Sequence, residues 1–489
     1  MKLTDTLRFF AIIVALLALL CIVFPSEGIE VAGTTLRFPK LHSVLAPEQP
    51  KSINELLVPE KQRDLSGLRD SLIDCRQHLF ASQTRFWLPN DDITLFDRFF
   101  ASAEQAQTAQ RVVRIIHYGD SQIEQDRISC RLRERLQSVF GGGGPGMLPL
   151  RQMVPTVSFN QYASGDITGL STWGDNTFER SNGNYGPMLR CWHLDGGCTM
   201  SLYASKGNYA AERAGHFSSI RVLFNNRPGP LHVTMTDRKH KTTFTDANNQ
   251  PGIGIIAWHL DSATTSAQLI MQGNADIYGV LVDDGFGVAV DNIGMRGVSG
   301  HQFKHVNLQQ LTTSYALLDV RLIIMQFGGN SVPYLKTDKS IEQYCQKLGE
   351  QIDYVRQACP EAVILFVGPS DMSTKVGGQL ATYPKLPTVV TQLREMANQH
   401  GAAYWSIYDA MGGENSMIAW NKNGLAGSDY IHFSFKGANL MGDYLSDALL
   451  KLYELYLIRK QLSNEEFNRL WKSVQPLPQA SDTPRNTNT

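Results

Sequence analysis

The chain has 489 residues, 43% of them apolar, with 46 acidic residues against 45 basic. This apolar content excludes a largely disordered chain, and the length exceeds what one ordinary core accommodates. A formal charge of −1 leaves no basic field, which excludes nucleic acid as the main partner.

Lys2 and Arg8 flank the start of an apolar run over residues 9–24, closed by Pro25-Ser26-Glu27-Gly28. Such flanks mark a targeting segment. No small-x-small cleavage site follows, and Cys21 comes after Leu20, not after the small residue of a lipoprotein site. Residues 1–28 therefore read as an uncleaved signal anchor, with a cleaved signal peptide as the alternative. The positive-inside rule then places the body on the periplasmic or cell-surface side. Residues 29–108 read as a spacer followed by helical patterns at 65–80 and 92–106.

Next comes a β-branched strand pattern at 111–116 (RVVRII) and an amphipathic helix pattern at 125–140. Between them stands His117-Tyr118-Gly119-Asp120-Ser121-Gln122. A serine on a tight Gly-Asp turn between strand and helix has its hydroxyl lifted from the sheet edge, near helix N-terminal amides that stabilise an anion. The run Gly141 to Gly146 breaks the helix. It lacks the Lys-Ser/Thr of a nucleotide loop, and no His-Glu-x-x-His or paired Cys-x-x-Cys is present. Neither cofactor nor metal is expected.

Residues 155–285 change character, with alternating runs at 218–224, 231–235 and 267–271 that predict an all-β sandwich of jelly-roll type. This segment carries Tyr162, Trp173, Tyr185, Trp192, His193, Tyr203 and Tyr209, a composition suited to stacking on sugar rings or to filling a β core. From about 311 the pattern reverts to strand (320–326), helix (341–358) and strand (362–367), the mark of a parallel sheet. An α/β domain over 109–154 and 286–460 is thus interrupted by an inserted β domain over 155–285. Residues 461–489 hold a helix end and a tail with no apolar period. Of the seven cysteines, Cys191 and Cys198 could staple a loop, and Cys345 and Cys359 flank a predicted helix; buried thiols are the equal alternative.

Acyl transfer from an ester needs a nucleophile, a base, an orienter for the base and donors for the oxyanion. Ser121 is the candidate nucleophile. Asp429-Tyr430-Ile431-His432, ahead of a helix pattern at 436–452, offers His432 as base and Asp429 as orienter. Between them lie Asn292-Ile293-Gly294-Met295-Arg296-Gly297 and Gly328-Gly329-Asn330. Taken singly, these could be a turn, a loop cap and a satisfied core histidine. His117, Asp126 and His193, near the blocks, read as structural.

The four blocks in this order resemble the SGNH (GDSL-type) hydrolase family. The resemblance implies a three-layer α/β/α domain with a parallel sheet, and ester hydrolysis or acyl transfer without cofactor or metal. It assigns the oxyanion donors to the backbone amides of Ser121 and Gly297 and the side-chain amide of Asn330. HYGDSQIEQDRI, GGGGPGM, the inserted β segment and SDYIHFSFKG together resemble the bacterial peptidoglycan O-acetylesterase group, in which a carbohydrate-binding-like β module interrupts the hydrolase. The expectation is a serine esterase that removes O-acetyl groups from an envelope polysaccharide, peptidoglycan first. Its partners would be that acetylated glycan and, through the N-terminal segment, the membrane. An O-acetyltransferase using the same residues and a non-catalytic glycan-binding protein are the alternatives.

Overall fold

The computed structural model describes residues 29–31, 34–36, 65–174, 183–205, 207, 209, 211–226 and 229–474. Residues 1–63 form one unit, in which an antiparallel hairpin is described, β1 (Ile29–Val31) with β2 (Thr34–Leu36). The expected anchor at 9–24 and the tail from 475 lie outside the described residues. Among those described, no helix is long and apolar enough to cross a membrane.

Residues 64–489 form the second unit. It opens with α1 (Leu65–Ala81), β3 (Phe86–Trp87) and α2 (Asp97–Ala106). The helix expected from 92 starts later, at Asp97, after turns over residues 93–96. Then comes β4 (Val112–Gly119), buried at all eight positions. A strand inside a parallel sheet is covered on both faces, so its sequence runs apolar instead of alternating. Next, α3 (Ser129–Phe140) ends at Gly141, which has φ +78°. The glycines that follow thread between strands. A Cβ at Gly142 would lie 2.7 Å from the Val288 carbonyl oxygen, and one at Gly144 2.3 Å from that of Val282.

The β-rich region begins with β5 (Gly146–Leu148) and continues through β6 (Phe159–Ser171), β7 (Arg190–Ala204), β8 (Phe217–Asn225), β9 (Leu231–Asp237), β10 (Thr242–Asn248), β11 (Ile253–Thr264) and β12 (Ser266–Asp283). These strands hydrogen-bond as one antiparallel sheet folded about its own core. The seam is β12. Its first half pairs with β9 and β7, its second with β8 and β5, and a register shift between Ile277 and Gly279 marks the bend. Alternation is plain in β9, where Leu231, Val233 and Met235 are buried and His232 is exposed. One face is shared with the rest of the unit: Trp173, Tyr185, Met188, Cys191, Leu223 and Tyr278 pack in the same core as Ile116, Tyr118 and Tyr315.

The chain then returns through β13 (Gly287–Gly294), α4 (Leu308–Leu318), β14 (Val320–Gln326), α5 (Asp338–Ala358), β15 (Val363–Gly368), the hairpin β16 (Ser373–Val376) with β17 (Gln379–Thr382), α6 (Leu386–Gln399) and β18 (Ala403–Ser406). Short helices α7 (Ile407–Met411) and α8 (Ser416–Lys422) lead to the long α9 (Phe435–Gln461) and to α10 (Asn464–Ser473). The second sheet has the order β13-β4-β14-β15-β18-β3, parallel except for β3. α2, α3 and α9 form one helical layer, with Phe99 and Tyr453 both against Phe140. α4, α5 and α6 bury their apolar faces in the other core. This is the three-layer α/β/α fold, with an additional β-rich region joined to it.

Two expectations are corrected here. Cys191 and Cys198 sit seven positions apart on one strand, roughly 23 Å at about 3.3 Å per residue, and belong to different cores. They do not staple a loop, and all six described cysteines are buried free thiols. Arg114, inside the strand pattern read as β-branched at 111–116, is wholly buried. It donates to Asp291 of β13 and to Asp283 of β12, each at 2.7 Å, and Arg221 of β8 also holds Asp283.

Candidate active site

Strand register puts three of the four sequence blocks on one level. Gly119 at the end of β4 lies opposite Gly294 of β13 on one side and Gln326 of β14 on the other. The strand that comes first in the chain lies between the second and third, so this is a switch point, where open α/β sheets collect ligands at their carboxyl ends. The approach is close: a Cβ at Gly294 would sit 2.9 Å from the Glu124 Cα.

The fourth block arrives on the loop between α8 and α9. Ser121 Oγ lies 2.7 Å from His432 Nε2 across 311 positions of sequence. Asp429 Oδ2 lies 2.7 Å from His432 Nδ1, while Asp429 Oδ1 accepts from the backbone N–H groups of Ile431 and His432. Burial raises the Asp429 pKa, but the bonds from the His432 ring and from these amides outweigh it and leave the group below the usual carboxylate range. Tyr430 takes φ +56°, which turns the loop back so that an acid three positions earlier reaches the ring. The array is open to solvent, with the His432 side chain 36% exposed.

Asn330 joins the same cleft. Its Nδ2 donates to Asp120 Oδ2 at 3.2 Å and to the Val298 carbonyl at 3.1 Å. Burial pushes the Asp120 carboxyl up to about 6, against the lowering effect of the Gln122 N–H and of His432. Gly297 stands on the loop after β13 with φ +77° and open space where a Cβ would be. The cleft, about 720 Å³, is lined by Ser121, Asn330, Tyr334, Met372, Ile431 and His432 among others. Tyr334 is 80% exposed at its rim.

Behind Ser121, the helix expected from 125 does not begin until Ser129. Gln125, Asp126 and Ile128 all take positive φ, which is costly for a β-branched residue such as Ile128. Side-chain bonds hold the strained segment. Arg133 grips Asp126 with two bonds, and Ser158 donates to the same carboxylate. Arg127 donates to the carbonyls of Ser121 (2.5 Å), Glu124 (3.0 Å) and Phe433 (3.0 Å). Gln122 bonds to Ile431 and Phe433. Neither Gln122 nor Arg127 was marked by its sequence context. A Gln and an Arg beside a turn are ordinary, and the Ile431 and Phe433 groups they reach lie about 300 positions away.

His117, Asp126 and His193 each hydrogen-bond to other side chains of the fold. His193 meets Asp276 at 2.8 Å. His117 is fully buried, and its ring is ordered by a relay in which Asn292 Nδ2 donates to Ser129 Oγ, 2.9 Å from His117 Nδ1. The serine hydroxyl therefore donates to Nδ1, leaving Nε2–H for Gln326 Oε1 at 3.1 Å, and the ring is neutral. Burial holds its pKa down to about 4. Between the ordinary histidine value of 6.5 and about 4, the unfolded chain binds a proton that the native state does not, so stability falls as pH falls. The loss attributable to this ring at pH 5 is about 2 kcal/mol. Asp120, raised to about 6, slopes the opposite way, because there the native state holds the extra proton. Comparing urea unfolding of wild type and His117→Gln at pH 7.5 and 5 isolates the histidine. An identical pH dependence in the two proteins would refute this account.

The aromatic residues of the β-rich region divide. Trp173, Tyr185 and Trp192 are buried, and Arg190 lies 4.1 Å from the Trp173 ring. Tyr203 lies under Arg238. Tyr162 is exposed, as is Tyr209, which stacks on Phe435 at the start of α9. Among the described residues, no group of three or more His, Cys, Asp or Glu is placed to hold a metal ion.

Comparison with known proteins bears on this geometry. Residues 261–440 match the model of the GDSL-like Lipase/Acylhydrolase family. No curated protein matches. Among solved structures, one described as a peptidoglycan O-acetylesterase is similar at 22% identity and a TM-score of 0.59, over 76% of this chain and 97% of its own. A putative GDSL-like lipase from Parabacteroides merdae is similar at 13% identity and a TM-score of 0.28, over 34% of this chain and 74% of its own. An acetyl xylan esterase is similar at 12% identity and a TM-score of 0.26, over 33% and 81%. The family model matched over residues 261–440 and the three-layer α/β/α fold agree with the resemblance to the SGNH (GDSL-type) hydrolases.

Proposed function

We propose that this protein is a serine esterase that removes O-acetyl groups from an envelope polysaccharide, peptidoglycan first, with water as the final acceptor. The observation that carries the reading is the 2.7 Å approach of Ser121 Oγ to His432 Nε2, with Asp429 on the far ring nitrogen, in an open cleft. In this mechanism His432 Nε2 takes the Ser121 proton as Oγ attacks the ester carbonyl carbon. The tetrahedral oxyanion collapses, the sugar oxygen leaves with the proton from His432, and the acetyl group remains on Ser121. Water, deprotonated by the same imidazole, then releases acetate. Asp429 holds the ring tautomer and supports the imidazolium.

The oxyanion would be met by the Ser121 and Gly297 backbone amides and by Asn330. Both Nδ2 hydrogens of Asn330 are engaged by Asp120 and Val298, so Asn330 serves the oxyanion by sharing one of them. Asn330→Ala is expected to lower kcat by about 10²–10³-fold. Unchanged kcat for that variant on an acetylated chromogenic ester would remove Asn330 from the mechanism.

Support for the substrate comes from the likeness to a structure described as a peptidoglycan O-acetylesterase, which extends over 97% of that chain. Exposed Tyr162, Tyr209 and Tyr334 offer faces for sugar rings. Export rests on the apolar run at 9–24 with its basic flanks, and anchoring in the membrane is part of this proposal. A reporter fused after residue 40 should be active outside the cytoplasm. The substrate test is purified protein on O-acetylated peptidoglycan, and separately on an acetyl donor with unacetylated glycan oligomers. Acetate release without an acceptor is expected. Acetyl transfer to the oligomers with little free acetate would replace the esterase by a transferase, and preference for long-chain esters would discard both.

A further inference from the structure

Nucleophile and base stand 311 positions apart in the sequence, and the His432 ring is only partly walled in by neighbours. Its position therefore depends on how its backbone is held. Gln122, the residue after Ser121, is buried, and its side chain reaches the peptide groups on both sides of His432. Gln122 Nε2 donates to the Ile431 carbonyl at 2.6 Å, and Gln122 Oε1 accepts from the Phe433 N–H at 3.2 Å. A carbonyl only accepts and an amide N–H only donates, so the orientation of the carboxamide is unambiguous. The second Nε2 hydrogen goes to Ser370 Oγ at 3.1 Å. Arg127 adds a parallel tie between the same two segments, from the Ser121 carbonyl to the Phe433 carbonyl. The contacts of Asp429, by contrast, lie within the histidine's own loop and cannot set that loop's distance from Ser121.

We infer that Gln122 is a positioning residue for His432, bracketing the histidine's backbone from the residue next to the nucleophile and so setting the approach of Nε2 to Ser121 Oγ. The inference rests on Ser121 and His432 being nucleophile and base. A shift of about 1 Å in such a pair costs roughly 10²-fold in rate. The protein should therefore lose turnover without losing affinity when the bracket is removed.

The test uses the full chain with an acetylated chromogenic ester. Gln122→Met keeps the length of the side chain and removes its hydrogen bonds. Gln122→Glu keeps the acceptor toward Phe433 but sets an oxygen against the Ile431 carbonyl, and it gives a second reading should the first variant fold poorly. Each is expected to lower kcat roughly 30–100-fold with KM within about twofold. In a His432→Ala background, adding Gln122→Met should leave the residual rate within about twofold, because the group it positions is gone. Wild-type kcat in both folded variants, a loss carried by KM, or the same fold-loss with and without His432 would each overturn the inference. If Ser121→Ala and His432→Ala are themselves fully active, the functional reading fails first. If they are inactive while the Gln122 variants turn over normally, only the role of Gln122 falls.

Discussion

Ser121→Ala is expected to abolish acetate release from an acetylated chromogenic ester, with kcat down by about 10⁵–10⁶-fold and the unfolding transition unmoved. Ser121 Oγ is the only atom of that side chain facing His432 Nε2, and removing it leaves the imidazole with nothing to activate but water. His432→Ala should do comparable harm, because a serine hydroxyl is a poor nucleophile without an adjacent base. Asp429→Asn should cost about 10⁴-fold: the ring keeps a partner but loses the charge that supports its protonated form. Steady-state kinetics at matched concentrations of folded protein provides the measurement. Turnover near the wild-type rate by folded Ser121→Ala protein would end the assignment.

The largest effect on stability is expected at a distance from the cleft. Arg114→Leu removes a wholly buried guanidinium that faces Asp291 and Asp283 where the parallel sheet meets the β-rich region. Asp283 keeps Arg221, but Asp291 is left, among the described residues, with the Met147 N–H as its hydrogen-bond partner and the Arg133 charge nearby, which offsets part of the loss. Breaking a buried pair by deleting one member costs about 3–5 kcal/mol, because the remaining charge is unpaired. Burial already raises the Asp291 pKa, with Arg114 as the first opposing influence. In the variant the carboxyl should rise further, so the native state takes up a proton before the unfolded state does. The penalty is then full above the new native pKa and shrinks as pH falls through it. Urea unfolding at pH 7.5 and 5.5 tests both parts. A loss below about 1 kcal/mol at pH 7.5, or a penalty that grows on acidification, would contradict the argument. Arg114→Leu with Asp291→Leu should recover part of the loss, since the stranded charge is gone.

The features legible in the sequence are those that neighbouring residues decide. The strand at 320–326 is recovered residue for residue, because a buried parallel strand must be apolar throughout. The glycine run ends α3, since its backbone conformations suit no other residue. The order of the four blocks carries the resemblance to the SGNH hydrolases without any contact between them. What the tertiary structure alone decided are matters of distant partners. The Ser121–His432 contact, the Gln122 bracket and the burial of Arg114 each join residues more than 150 positions apart. Helical periodicity begins at Gln125, yet the helix starts at Ser129. The intervening residues satisfy Arg133, Ser158 and the carbonyls around the site at the cost of unfavourable φ. Trp173 and Trp192 are core where Tyr162 and Tyr209 are surface, although all four are aromatic residues in one β-rich stretch. Local propensity and periodicity report which face a side chain occupies, whereas a buried polar group is stable only with a partner that the fold must bring to it.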